Sequence, residues 1–151
     1  MNLISARHLA IDLMRRHGLA EWSFAFDHAR RRFGSCRYAS KTITLSRPLT
    51  FLNSEEQVRD TLLHEIAHAL APGDGHGRRW KAACVRIGAK PVRCYTDRTV
   101  VSPPRQPAPY LLGCRRCDWW VERRRVTRRK LVCRECRGEV VYRERAESVE
   151  G

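Results

Sequence analysis

The stretch Thr61-Leu-Leu-His-Glu-Ile-Ala-His-Ala-Leu70 places His64, Glu65 and His68 in an H-E-x-x-H pattern. On an α-helix, residues four apart project from one face, one turn above the other. Two imidazoles so placed can grip one Zn²⁺, with the glutamate between them in reach of a water at the ion. That is the kernel of a metal-assisted hydrolase, most often a peptidase. Counting about 100° per residue, Val58, Leu62, Leu63, Ile66, Ala69 and Leu70 fall on one apolar arc. Gln57, Thr61, His64, Glu65 and His68 gather on the other side. Asn53 or Ser54 can cap the start, Ser54-Glu-Glu-Gln57 reads as a capping box, and Pro72-Gly73 marks the end. The pattern predicts a helix over residues 54–71 that buries one stripe and presents its ligands to a cleft.

A catalytic zinc site usually takes three protein ligands and a water. The third must come from outside the helix. His76 is the best candidate, in Gly73-Asp-Gly-His-Gly77, where glycines allow the sharp turn that returns a side chain to the metal. Asp74 is the fallback.

His-Glu-Ile-Ala-His-Ala-Leu70, then Gly75-His-Gly77 and Trp80-Lys81, resemble the active-site segment of the SprT-like zinc metallopeptidases. Arg32-Phe-Gly-Ser-Cys36 and Thr42-Ile-Thr-Leu-Ser46 resemble the family's Gly-x-Cys and strand segments. The resemblance implies His64, His68 and His76 as ligands of a catalytic zinc and Glu65 as general base. It also implies an α+β, zincin-like domain and, in many members, a zinc ribbon. The family includes proteases that degrade proteins crosslinked to DNA. This short chain lacks the long partner-binding regions of the larger eukaryotic members, so the repair role carries over less directly than the chemistry.

Seven cysteines are present. Cys114-x-x-Cys117 and Cys133-x-x-Cys136 have the spacing of a Cys₄ structural zinc site. Two disulfides would need an oxidising compartment, and no secretory h-region follows Met1. Cys36, Cys84 and Cys94 form no spaced set and are expected to be buried as small apolar residues. No apolar run is long enough to span a membrane. The expected location is the cytoplasm, with the nucleoid as a place of association, or the host cytoplasm if the gene is phage-borne.

The net charge of +14 predicts affinity for polyanions. Nothing reads as a recognition helix, so sequence-specific reading is not expected. The alternative for the charge is a solubilising Arg-rich surface.

The 151 residues suit one compact domain and a small module. Residues 1–97 form the expected peptidase domain, 98–109 a Pro-rich linker, 110–145 the ribbon and 146–151 a frayed tail. In the first domain, a helix over Leu3 to His17 precedes a strand over Glu21 to Asp27, in which Trp22, Phe24 and Phe26 alternate with small or polar residues. Two more strands follow, from Gly34 to Tyr38 and from Lys41 to Ser46, with all strands expected antiparallel. A closing helix spans Gly77 to Ile87, with Trp80 packing to fix the His76 loop. The Arg30–Arg32 run is either a solvated face or a nucleic-acid contact. In the ribbon, Trp119 and Trp120 start a strand, and Arg123, Arg124, Arg125, Arg128, Arg129 and Lys130 occupy an expected hairpin before Leu131-Val132. Aromatics beside such a hairpin suit single-stranded DNA, with bases stacking on rings and arginines neutralising phosphates. The plainer alternative is one buried Trp and an exposed basic turn.

Together these features predict a zinc endopeptidase, with one catalytic and one structural zinc, acting on DNA-bound proteins. The rival is a non-catalytic zinc-ribbon nucleic-acid binder with a vestigial peptidase domain. A third reading keeps proteolysis without DNA. Tyr38 and Tyr95 are candidate oxyanion donors that no spacing argument separates.

Overall fold

The computed structural model describes residues 1–92 and 100–145, which fall into two compact units, Met1–Pro103 and Pro104–Gly151. The boundary lies inside the segment expected as a linker. Cys94, Tyr95 and the acidic tail from residue 146 lie outside the described residues.

The first unit begins with α1 (Leu3–Arg16), capped by Asn2, whose side chain accepts from the Ile4 and Ser5 N–H groups. Ala6, Ala10, Leu13 and Met14 line its buried face at helical spacing. Strands β1 (Ser23–Asp27), β2 (Gly34–Arg37) and β3 (Thr42–Ser46) form a sheet in the order β1-β3-β2. The sheet departs from the expected all-antiparallel arrangement. β2 and β3 form an antiparallel hairpin, but β1 joins the far edge of β3 in parallel, with Ser23 opposite Thr42 and Asp27 opposite Ser46. The link over residues 28–33 therefore crosses the end of β3, a span of two strand spacings, or about 10 Å. Ser46 holds that link: its N–H donates to the Phe33 carbonyl at 2.7 Å and its hydroxyl to the Ala29 carbonyl. The central β3, rich in β-branched residues, is buried from Ile43 onward.

A helix not expected from the sequence, α2 (Arg47–Leu52), follows at once, capped by Ser46 and with a proline in its first turn. Helix α3 (Glu55–Leu70) matches the expected active-site helix. Ser54 is its cap, and the reciprocal Ser54–Gln57 bonds of the capping box are both formed. Helix α4 (Arg78–Arg86) buries Trp80, Ala83 and Cys84. The core joins these faces with Val58, Leu62 and Ile66 of α3 and Ile43 and Leu45 of β3. Asn53 clasps a distant strap. Its amide donates to the Val101 carbonyl at 2.8 Å, and its oxygen accepts the Val101 N–H at 2.7 Å.

The second unit is a sheet of β4 (Tyr110–Cys114), β5 (Trp119–Arg123), β6 (Leu131–Val132) and β7 (Glu139–Glu144) in the order β5-β4-β7-β6. The basic segment expected as a hairpin is a crossover, because β5 and β6 lie on opposite edges of the sheet. The hairpin partner of β5 is β4, which reaches it through the first cysteine turn.

Ser54→Ala removes the acceptor for the Gln57 N–H and should lower stability by about 1 kcal/mol. Urea denaturation with an unchanged midpoint would show that α3 is held by packing alone.

Candidate active site

Helix α3 carries His64 and His68 one turn apart, and the turn after it returns His76 to them. Gly73 (φ 76°) and Gly75 (φ 58°) take the left-handed conformations this return requires. The Nε2 atoms of His68 and His76 each stand 3.2 Å from that of His64. Nitrogens bound at ~2.0–2.1 Å around a tetrahedral zinc stand about 3.3–3.4 Å apart. The three side chains therefore fit one zinc ion, and the three ligand atoms all lie within 4.8 Å of one another. Burial first, then the neighbouring histidines, push His64 down to about 4, and burial and then His76 do the same to His68. Both imidazoles thus stay in the neutral form a metal needs.

Trp80 forms the floor of this cluster. Its ring stacks on His68 at 5.3 Å between centroids and meets His64 at 4.9 Å and His76 at 4.6 Å. It is wholly buried, and its indole N–H meets no acceptor among the described residues. The ring thus lies over one imidazole and meets the other two at steep angles. The sequence suggested a packing role for Trp80 at the His76 loop; its contact with all three rings was not legible. Asp74, the fallback ligand, is elsewhere. Its carboxylate accepts the Trp80 N–H at 3.0 Å and pairs with Arg79, so it caps the start of α4.

Glu65 lies beside the cluster with 8% of its surface exposed. Burial pushes its carboxyl up to about 7, opposed by Arg32 and by a hydrogen bond from the Cys36 N–H. The part of α3's polar side that carries Thr61 and Glu65 is therefore covered by β2, while His64 and His68 stay half-buried in the cleft. The cover is possible because residue 34 is glycine. A Cβ there would stand 2.8 Å from Glu65 Cγ and 2.9 Å from Thr61 Cγ2. Cys36 corrects one expectation: it is half-buried and faces the cleft, with burial, then Glu65, pushing its thiol up to about 12. Cys84 is buried, as expected. The Tyr38 hydroxyl donates to the His68 carbonyl at 3.1 Å, which ties β2 to the end of α3 and engages its proton. A cleft of about 740 Å³ opens over the three histidines and Glu65. Its rim includes Arg31, Arg32, Val100 and Ser102, none of which carried a distinct sequence signal for this place.

In the second unit, Cys114, Cys117, Cys133 and Cys136 converge, and none is in a disulfide. The Cys114–Cys136 and Cys117–Cys133 sulfurs lie 3.5 and 3.9 Å apart. Sulfurs at ~2.3 Å around a tetrahedral zinc stand about 3.7–3.8 Å apart, so this set also fits the ion. The Cys136 N–H, and next the Trp119 indole, hold the Cys133 thiol down to about 6. Trp119 is thereby committed to the cysteine cluster, donating to Cys133 Sγ at 3.4 Å. Trp120 donates to Asp118, and the Arg143 guanidinium lies 3.9 Å from its ring centroid. Arg124 bonds the Gln106 carbonyl and Arg123 the Glu122 carbonyl. Arg123, Arg124, Arg125, Arg128, Arg129 and Lys130 are all exposed.

Three converging imidazoles, a buried carboxylate and an open cleft on a small mixed fold define the zincin-like metallopeptidase class. The profile of the SprT-like family matches residues 7–100, and the chain belongs to that family. Among solved structures, the metallopeptidase zymogen of Methanocaldococcus jannaschii jannalysin is similar at 16% identity and a TM-score of 0.48, over 54% of this chain and 79% of that one. No curated protein matches the chain. No helix among the described residues is long and apolar enough to cross a membrane.

Gly34→Ala should displace Glu65 and Thr61, lowering both thermal stability and peptidase activity while zinc content holds. Full activity in a zinc-loaded variant would show that Glu65 tolerates the shift. The metal-free protein should also have a defined pH response. Its unfolded chain binds more protons at His64 and His68 between about pH 4 and 6.5, so stability present above that window is lost as pH falls through it. Glu65, raised to about 7, acts oppositely by gaining a proton in the folded state first. Two groups outweigh one, so melting of the chelated protein should fall on acidification. Glu65→Gln should steepen that fall, and a flat profile from pH 6.5 to 4 would contradict this assignment.

Proposed function

We propose that the protein is a zinc-dependent endopeptidase acting on nucleic-acid-associated proteins, DNA-crosslinked ones among them. It would carry one catalytic zinc at His64, His68 and His76 and one structural zinc at the four cysteines. The observation that carries the peptidase reading is the convergence of three imidazole Nε2 atoms beside a buried carboxylate in one cleft. A zinc ion held there would lower the pKa of a water to near neutral and polarise a peptide carbonyl.

The chain's own groups do the rest. Glu65, held near neutral by burial, accepts a proton from the attacking water and returns it to the departing amine. The Cys36 N–H and Arg32 favour its charged form, the one that can accept. Trp80 fixes the ring planes, and burial keeps His64 and His68 unprotonated.

The nucleic-acid part rests on different support. The net charge is +14, and the exposed segment from Arg123 to Lys130 is dense in cations. Because Trp119 is engaged with Cys133 and Trp120 with Arg143, phosphate contacts rather than base stacking carry most of this affinity. Single-stranded DNA, whose flexible backbone can follow such a segment, is the favoured ligand.

The test is cleavage of a basic DNA-binding protein by the wild type and by Glu65→Gln, each with and without single-stranded DNA. Zinc content is checked in both. Loss of the base should cut the rate by about 10²–10⁴-fold with both zincs retained. Equal behaviour of the two proteins across several substrates would leave a non-catalytic binder. DNA affinity that is insensitive to salt would remove the nucleoprotein substrate.

A further inference from the structure

We propose that the cleft selects protein segments with an acidic side chain close to the scissile bond, and that Arg31 reads that carboxylate. The inference rests on the peptidase reading and adds a substrate class to it.

The charges lining the cleft are unbalanced. Apart from the histidines, its charged lining residues are Arg31, Arg32 and Glu65, and Glu65 is buried at the floor. The remaining walls are apolar or small and neutral, including Phe33, Leu49, Val100 and Ser102. Both arginines sit on the link over residues 28–33, directly before Gly34, against which Glu65 packs. Both arginines thus share one cleft with the three histidines.

The two arginines are not equivalent. Arg32 is anchored: its guanidinium meets Asp27 at 2.7 Å, and the same carboxylate oxygen accepts the Thr44 hydroxyl at 2.8 Å. Thr44 in turn bonds the Ser35 hydroxyl at 2.8 Å, so this polar chain crosses all three strands. Arg32 is therefore paired and fixed. Arg31 lines the same cleft and has no hydrogen bond or ion pair with any other described residue. An exposed guanidinium at the mouth of a partly enclosed cleft favours a carboxylate with which it can form paired, charge-assisted hydrogen bonds. It disfavours a lysine or arginine there by repulsion.

A phosphate could also meet Arg31. A nucleic-acid strand, however, needs a track of cations, and this cleft offers, among the described residues, one uncommitted guanidinium beside a paired one. A single peptide side chain suits it better. The selection also fits a nucleoprotein substrate. Basic segments of such a protein are occupied by phosphates, while acidic segments are repelled by them and left accessible.

The test uses the full-length, zinc-loaded chain and peptides that differ only in Glu, Gln or Lys at each of three positions on either side of one cleavable bond. Peptide binding to Glu65→Gln is measured by fluorescence anisotropy, and kcat/KM is measured with the wild type. Glu should exceed Gln by about tenfold at one position, with Lys weakest. Arg31→Gln should abolish the preference, and Arg31→Glu should reverse it. Arg86→Glu, an equal charge change on the exposed side of α4 away from the cleft, should keep it. No discrimination in either readout, or a preference that survives Arg31→Glu, overturns the proposal. So does an Arg31→Glu effect confined to oligonucleotide binding. The two readings fail separately. A wild type that cuts all peptides equally keeps the peptidase and loses the selection. Arg31-dependent binding of the Glu peptide with no cleavage anywhere keeps the selection and loses the peptidase.

Discussion

The larger unit depends on how closely strand β2 can lie against helix α3. The approach is set at Gly34, where a Cβ would collide with both Glu65 and Thr61. With no side chain there, the edge of the sheet covers the part of the helix's polar side that carries Thr61 and Glu65. Glu65 is desolvated, and the Cys36 N–H reaches its carboxylate. Desolvation moves that carboxyl towards neutrality, while the hydrogen bond and Arg32 keep its charged form accessible. A more open fit would leave an ordinary solvated glutamate beside two exposed histidines. The Tyr38 bond to the His68 carbonyl fastens the same strand to the far end of the helix, so both ends of the contact are fixed.

The two metal-binding sets solve opposite electrostatic problems. The histidine cluster must keep its ligands neutral, and it does so by burial and by crowding rings that cannot all be charged. Trp80 contributes an apolar face where a polar neighbour would add hydrogen-bond competition. The cysteine cluster must keep its ligands anionic. Backbone N–H groups of the second Cys-x-x-Cys turn and the Trp119 indole point at Cys133, favouring its thiolate, while the hydrogen bond with Cys136, then burial, holds Cys117 as the thiol. Trp119 thereby becomes part of the cysteine cluster. This ties the strand that follows the first cysteine pair to the turn formed by the second, a long-range link in a small unit with little apolar core.

What was legible in the sequence was local. The capping box, the apolar arc and the i, i+4 histidines of α3 lie within one helix, so spacing alone revealed them. The cysteine pairs were readable because tetrahedral zinc imposes their spacing. The unread features depend on residues far apart in the chain. Asn53 meets Val101 only after the chain has folded back. The parallel pairing of β1 with β3 follows from a six-residue link that crosses a strand end, and such a link looks the same in sequence as a hairpin turn. The same ambiguity hid the crossover between β5 and β6. Helix α2 was missed although its cap and proline were in view, because Arg47 to Leu52 is too short to show a helical period.

The positive charge of this chain does not act as a single quantity. A sum of +14 is a long-range field that concentrates polyanions around the molecule, whichever residues supply it. Inside a cleft, the same charge matters only where it is uncommitted. Arg32 is spent on Asp27, and Arg79 on Asp74, each holding a loop beside the histidines. Arg143 is spent on Trp120. Arginine suits these positions because its planar group can bond a carboxylate or lie over a ring. An arginine free of such duties among the described residues, in one cleft with a buried carboxylate and three clustered imidazoles, therefore carries more chemical information than the net charge of the whole chain.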